Sequence, residues 1–251
     1  MEFLRLLDDE EIQMFRIESI EERLDCKFDN LNEILENLVR KEMLSRIEKG
    51  KYCKPNFRDE HVIGTFIAQN GAIAYWSALN LHGLTEQFAN TVFVQTTLWR
   101  DAKTIFGTPY KFVQITENKR AGIITNGYGN YQYPITDVEK TIVDCFDIPQ
   151  YSGGYAELIR AFDTAELNPV KLIEYTRKVN NIALIKRMGY LSELFGKKEL
   201  SLFVEFAKSK VNTRYDLVDP LGTNKGEHVA SWKLRLNISK EELMDIVQKQ
   251  Y

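Results

Sequence analysis

Residues 29–55, DNLNEILENLVRKEMLSRIEKGKYCKP, decide how the N-terminal part of the chain is read. Leu31, Ile34, Leu35 and Leu38 fall at i, i+3, i+4 and i+7. That is one apolar face of a helix from Asn30 to about Glu42, with Asp29 as its cap. After it, Leu44 and Ile47 alternate with Arg46 and Glu48, the period of a half-buried strand. Lys49-Gly50 is a turn signal, Lys51-Tyr52-Cys53 returns as a second short strand, and Pro55 closes the unit. Upstream, the pattern from Asp8 to Phe15 is acidic and then amphipathic. Ser19, with Glu22 three residues on, predicts a capped short helix to about Leu24. Short helices followed by a tight hairpin make the order of a winged helix-turn-helix, here residues 1–55.

Working outward, residues 55–60 (PNFRDE) read as a linker, and residues 60–251 as a larger mixed α/β domain. His61 to Ala68 and Ile73 to Leu81 look helical, the second ending at Gly83. TVFVQTT (91–97), YKFVQI (110–115) and residues 122–125 are β-rich runs bounded by Gly, Pro and Asn. Thr136 with Glu139 forms a capping-box pattern for a helix to about Phe146. Pro149 and Gly153-Gly154 punctuate. Helices are then predicted at 155–164, 169–179, 182–194 and 198–208, with strand-like alternation at 214–219 and 229–237. Ser239 caps a last helix with Glu242 at the box position. The fold class is therefore α+β, largely helical after residue 136.

The composition is that of an ordinary globular chain, 44% hydrophobic and 27% charged. No uncharged run approaches the roughly 18 apolar residues of a membrane span, and the N-terminus lacks a signal-peptide pattern. Cys26, Cys53 and Cys145 lie far apart and form no CxxC pair, and three histidines offer no zinc spacing. A cytoplasmic protein with no membrane, metal or cofactor is expected.

For enzyme chemistry the pattern is thin, and no catalytic residue is assigned. Asp137, Glu139 and Asp144 fall on one helix and could in principle hold a metal, but the first two sit in its first turn, where negative charge complements the helix dipole. His82, just before Gly83, fits a helix C-terminus. No serine elbow or P-loop occurs, and GTNKG (222–226) lacks the spacing of a phosphate cradle. The abundant aromatics, Tyr75, Trp76, Tyr151, Tyr155, Tyr190 and Phe195 among them, read as core.

Several segments in this order resemble the AbiEi family, the antitoxin half of a bacterial type IV toxin–antitoxin system. They are NLVRKEMLSRIEKGKYC (37–53), AYWSALNLHGLTEQ (74–87), ITDVEKTIVDCFDIPQYSGGYAELIRAF (135–162) and NNIALIKRMGYLSELFG (180–196). The third is the most specific, passing from a capped helix through a Pro and Gly-Gly turn into another helix. The resemblance implies a non-enzymatic transcriptional regulator of phage-defence type. Its winged helix would bind promoter DNA with inverted repeats, and its C-terminal domain would counteract a nucleotidyltransferase-like toxin, in the family usually without a stable complex.

Charge locates these expectations. Residues 1–55 carry ten Lys/Arg against fourteen Asp/Glu, and the helix exposes Glu33 and Glu36 beside Asn30, Asn32, Asn37, Arg40 and Lys41. Carboxylates repel phosphate, whereas asparagine and arginine read base edges. The basic footprint is confined to residues 40–54, where six Lys/Arg meet two Glu. Lys49 and Lys51 on the wing are therefore expected at phosphates, with Asn32, Asn37 and Arg40 near bases and Asn30, Lys41 and Arg46 completing the DNA-binding set. A second basic run, residues 166–215, has ten Lys/Arg against five Glu. Arg177-Lys178 and Lys186-Arg187 are predicted there as an antitoxicity surface, the plain alternative being a solvated helix face. Two other functions compete: a metal-dependent nucleic-acid-processing enzyme using Asp137 to Asp144, and a winged-helix interaction module that binds no DNA.

Overall fold

A computed structural model of the chain describes residues 2–248. Residues 2–53 form α1 (Glu2–Asp9), β1 (Met14–Arg16), α2 (Ile20–Arg23), α3 (Leu31–Arg40), β2 (Ser45–Glu48) and β3 (Lys51–Cys53). The three strands make one antiparallel sheet in the order β1-β3-β2. Phe3, Leu7, Ile12, Phe15, Ile20, Leu35, Leu38 and Leu44 fill the core beneath it. The apolar face of α3 points inward as its spacing dictates, with Leu35 fully buried. Lys49 and Gly50 make the hairpin turn, where Gly50 takes φ 75°, a conformation that favours glycine.

Details at the helix starts differ from the sequence reading. Asn30, not Asp29, stands at the N-cap of α3, in a left-handed conformation with no side-chain cap bond. Ser19 precedes α2 without capping it. Glu21 instead ties the α2–α3 connection, its Oε1 accepting the Phe28 N–H at 2.8 Å. Strand β1 goes unread because three residues are too few for an alternation to register.

A six-stranded mixed sheet follows. It combines α4 (Glu60–Ile67), β4 (Ala72–Ile73), α5 (Tyr75–Leu81), β5 (Val92–Thr96), β6 (Lys103–Ile105), β7 (Thr108–Gln114), β8 (Ile123–Asn126) and β9 (Tyr133–Thr136), with strand order β6-β7-β5-β4-β9-β8. The pairs β5/β7 and β4/β9 are parallel, the rest antiparallel. The helix expected from Ile73 begins only at Tyr75, because Ala72-Ile73 is a central strand. Periodicity alone cannot separate a short buried strand from a buried helix end. The predicted linker is packed: Phe57 is buried and stacks on Tyr131 at 5.3 Å. Ile47 and Cys53 of the hairpin join the core of this sheet with Ile63, Ile73, Val94 and Ile135.

The rest is mainly helical: α6 (Val138–Asp147), α7 (Tyr155–Thr164), α8 (Pro169–Val179), α9 (Ile182–Leu194) and α10 (Ser201–Ser209). A small sheet in the order β10-β12-β11 follows, from β10 (Asp216–Leu217), β11 (Glu227–Val229) and β12 (Leu234–Leu236), before α11 (Lys240–Gln248). The chain is thus a mixed α+β protein. The stretch 229–237 is not one strand, since it turns between β11 and β12, with Lys233 at φ 50°. Helix α6 runs through the middle and is buried from Glu139 to Phe146. Its cap is Asp137, one place after Thr136, accepting the Lys140 N–H at 2.9 Å. Ser239 and Glu242 close the reciprocal capping box expected of them, at 3.1 and 2.8 Å. At Gly153 (φ 81°) a Cβ would stand 2.6 Å from the Trp76 indole, which accounts for glycine at that turn.

Candidate nucleic-acid interface

Because Leu35 and Leu38 face the core, the opposite side of α3 faces solvent. Asn32, Glu33, Glu36 and Arg40 are exposed along it, Asn37 is half-buried at its edge, and Asn30 and Lys41 are exposed at its two ends. On the hairpin, Arg46 and Lys49 are exposed. Among the described residues Arg40, Lys41, Arg46 and Lys49 make no ion pair, so their charges are available to a ligand. The face is of mixed sign, with Glu33 and Glu36 at its centre and the cations at its C-terminal end and on the hairpin.

Lys51 does not belong to this surface. Its ammonium lies 2.8 Å from Glu48 Oε1 and donates to the carbonyl of Ile67 at 2.9 Å, so it faces the body of the protein. Glu48 also pairs with Arg100 and, at 3.1 Å, with Lys103. Burial would raise the Glu48 carboxyl, but Lys51, Lys103 and Arg100 together hold it below its ordinary value. Burial pushes the Lys51 ammonium down against the pull of Glu48. Lys54 is likewise engaged, by Asp8 at 2.5 Å. Arg16 donates to the Phe66 carbonyl at 2.7 Å. Lys51 therefore ties the hairpin to the end of α4 and Glu48 ties it to Arg100 and to Lys103 of β6, while Arg46 and Lys49 look outward. Sequence reasoning missed Arg100 and Lys103, whose role depends on a contact across more than fifty residues.

The second basic group divides in the same way. Arg177 and Lys178 are exposed on α8. Arg177 packs over the Phe206 ring at 5.0 Å, and Lys178 pairs with Glu174 at 2.8 Å. Lys186 and Arg187 are not at the surface: they sit in the run of α9 that is buried from Leu184 to Ser192. The Lys186 ammonium is paired with Asp216 and donates to the carbonyl of Arg214 at 2.7 Å and of Lys233 at 3.2 Å. The helix is enclosed by the small C-terminal sheet, which supplies this acceptor set, and that relationship has no signature in sequence spacing.

The three acidic residues of α6 do not converge. Asp137 caps the helix and accepts the Tyr175 hydroxyl at 2.9 Å, and both Asp137 and Glu139 hold Lys171 at 3.0 and 3.2 Å. Asp144 lies a turn and a half away, buried against Lys140. No group of three potential ligands for a metal ion occurs among the described residues. His82 stands at the C-cap of α5, its Nε2 donating to the Thr136 carbonyl at 2.7 Å. Among the described residues no helix is long and apolar enough to cross a membrane.

No family model matches the chain, and no curated protein does. Among solved structures it is similar to the RV2827C protein from Mycobacterium tuberculosis, with 14% identity and a TM-score of 0.65. The match covers 97% of this chain and 92% of that one. At this identity the likeness is one of fold, and it extends over nearly the whole of both chains.

Proposed function

We propose that this chain is an antitoxin-type transcriptional regulator of the AbiEi kind, acting in the cytoplasm and not as an enzyme. Its first 53 residues serve as a winged helix. Helix α3 enters the major groove with Asn32, Asn37 and Arg40 toward base edges, and Arg46 and Lys49 take phosphates. The observation that carries this reading is the arrangement α1-β1-α2-α3-β2-β3. It leaves one helix face and one hairpin tip outward, with unpaired cations on both. The remaining residues counteract a nucleotidyltransferase-like toxin, for which Arg177 and Lys178 are the exposed basic pair. A mobility-shift assay on the DNA upstream of the gene tests the first half. A retarded band that resists competition by unrelated DNA is expected; no shift at low salt refutes it. Co-expression with the neighbouring gene product, scored as growth rescue, tests the second.

A second reading draws on Glu33 and Glu36, which sit mid-face on α3 where a DNA-reading helix usually carries neutral or basic groups. On it, the helix docks a basic protein partner, and the purified chain shows no DNA affinity.

A further inference from the structure

Arg187, in α9, marks a second site remote in sequence from the DNA-directed face and independent of it. It is 7% exposed, yet no carboxylate is in ion-pair contact with it among the described residues. Its Nε donates to the Leu217 carbonyl at 2.8 Å, which fixes the plane of the guanidinium. That is its one hydrogen bond among the described residues, so Nη1 and Nη2 have no protein acceptor. The side chain forms part of the wall of a cleft of about 520 Å³ between α9 and the β10-β12-β11 sheet. This is within the size range of small-ligand sites. Asp216, Asp219 and Asp147 act on the Arg187 charge from a distance, and Nη1 and Nη2 reach the solvent of the cleft, where the acceptors of a ligand can replace water.

The rest of the lining is of one character. Arg214 and Arg235 add two cations, and Arg235 is held by Asn224 Oδ1 at 2.8 Å and the Gly226 carbonyl at 3.2 Å. Asp216 is the one carboxylate in the lining; buried Lys186 pairs with one of its oxygens, and Arg214 Nε lies 3.4 Å from the other at the cleft mouth. Tyr215, 40% exposed, presents its ring at the rim, braced edge-to-face by His228 at 4.7 Å, with the Lys233 ammonium over the ring at 5.2 Å. Guanidinium groups bind phosphate oxygens in pairs, and an exposed aromatic face stacks on a nucleobase.

We infer that this cleft binds a nucleotide, its phosphate on Arg187, Arg214 and Arg235 and its base against Tyr215. The nucleotide arrives free or as the phosphorylated end of a nucleic acid. Calorimetric titration of the full chain with inorganic phosphate, AMP and a 5′-phosphorylated trinucleotide tests this. Saturable binding of AMP or the trinucleotide, tighter than phosphate, is expected, and the tighter of the two names the source. Arg214→Glu, at a side chain exposed enough to leave folding intact, should weaken that binding by about tenfold or more. Tyr215→Ala should weaken AMP and leave phosphate unchanged. Arg187→Gln should abolish binding, with a thermal melt confirming that the variant is folded. Absence of binding by the unaltered chain overturns the assignment without recourse to any variant. Affinity unmoved by Arg214→Glu, or phosphate bound as tightly as AMP, overturns it as well.

Discussion

Lys51 Nζ donates to the main-chain carbonyl of Ile67 at 2.9 Å, and this contact ties the β2–β3 hairpin to the end of α4. A cation that reads from sequence as part of a DNA-facing wing is turned inward, onto the end of α4. With Glu48, Arg100 and Lys103 it forms a charged joint between the N-terminal sheet and the central one. The hairpin is thereby anchored to the body, and its outward chemistry reduces to Arg46 and Lys49.

Lys51→Met should therefore lower stability rather than DNA affinity. It removes a hydrogen bond and an ion pair and leaves Glu48 with Arg100 and Lys103 as partners. A loss of about 1–3 kcal/mol is expected in urea denaturation. The salt dependence of DNA binding should not change.

Lys186 and the pair Arg177-Lys178 should separate cleanly in a rescue assay. Lys186→Ala leaves Asp216 with Arg214 alone, at 3.4 Å, and the carbonyls of Arg214 and Lys233 without their donor; about 2–4 kcal/mol of destabilisation is expected. Loss of antitoxicity in that variant would report unfolding. Reversing Arg177 and Lys178 to Glu touches exposed positions; losing the Phe206 and Glu174 contacts and opposing the dipole at the end of α8 should cost about 1–2 kcal/mol. If these two residues meet the toxin or its target, rescue of growth is lost while the melting curve shows the variant still folded.

Acidification should weaken the fold in two stages. His61 is stacked on Tyr133 at 5.2 Å, and burial pushes its pKa below the ordinary 6.5. The unfolded chain thus binds a proton first as pH falls below about 6.5, and stability declines there. Glu48, held below its ordinary 4.5, contributes stability that is present above that value and lost as pH falls through its lowered pKa. In chemical denaturation at stepped pH, His61→Gln should remove the first decline and leave the second.

Gly153→Ala should be costly although it adds a single methyl. The residue has φ 81°, and the new carbon would press into the Trp76 ring. About 1–3 kcal/mol is expected from backbone strain alone, read as a lower melting temperature.

Much of this fold is legible in sequence where the signal is local. The α3 face, the Lys49-Gly50 turn, the helices from Tyr155 to Leu194 and the Ser239–Glu242 box all rest on spacing within a few residues. Strands β1, β4, β6 and β9, of two to four residues each, are defined by partners far along the chain and leave no periodic trace. The site residues follow the same division. Exposure of Asn32, Arg40 and Lys49 follows from helix and turn geometry, whereas the burial of Lys186 and Arg187 depends on a sheet that begins some thirty residues later. Basic pairs on a helix look alike whether the opposite wall is water or protein.

The central claim is that Arg46 and Lys49 carry phosphate contacts for a DNA-reading α3. Fluorescence anisotropy with the gene's own upstream duplex, titrated across a range of salt concentrations, tests it most directly. Binding that weakens linearly with log salt is expected, with Arg46→Glu and Lys49→Glu together lowering the slope by about 2 and weakening affinity. An unchanged slope in that double variant, or no binding by the unaltered chain at low salt, would contradict it.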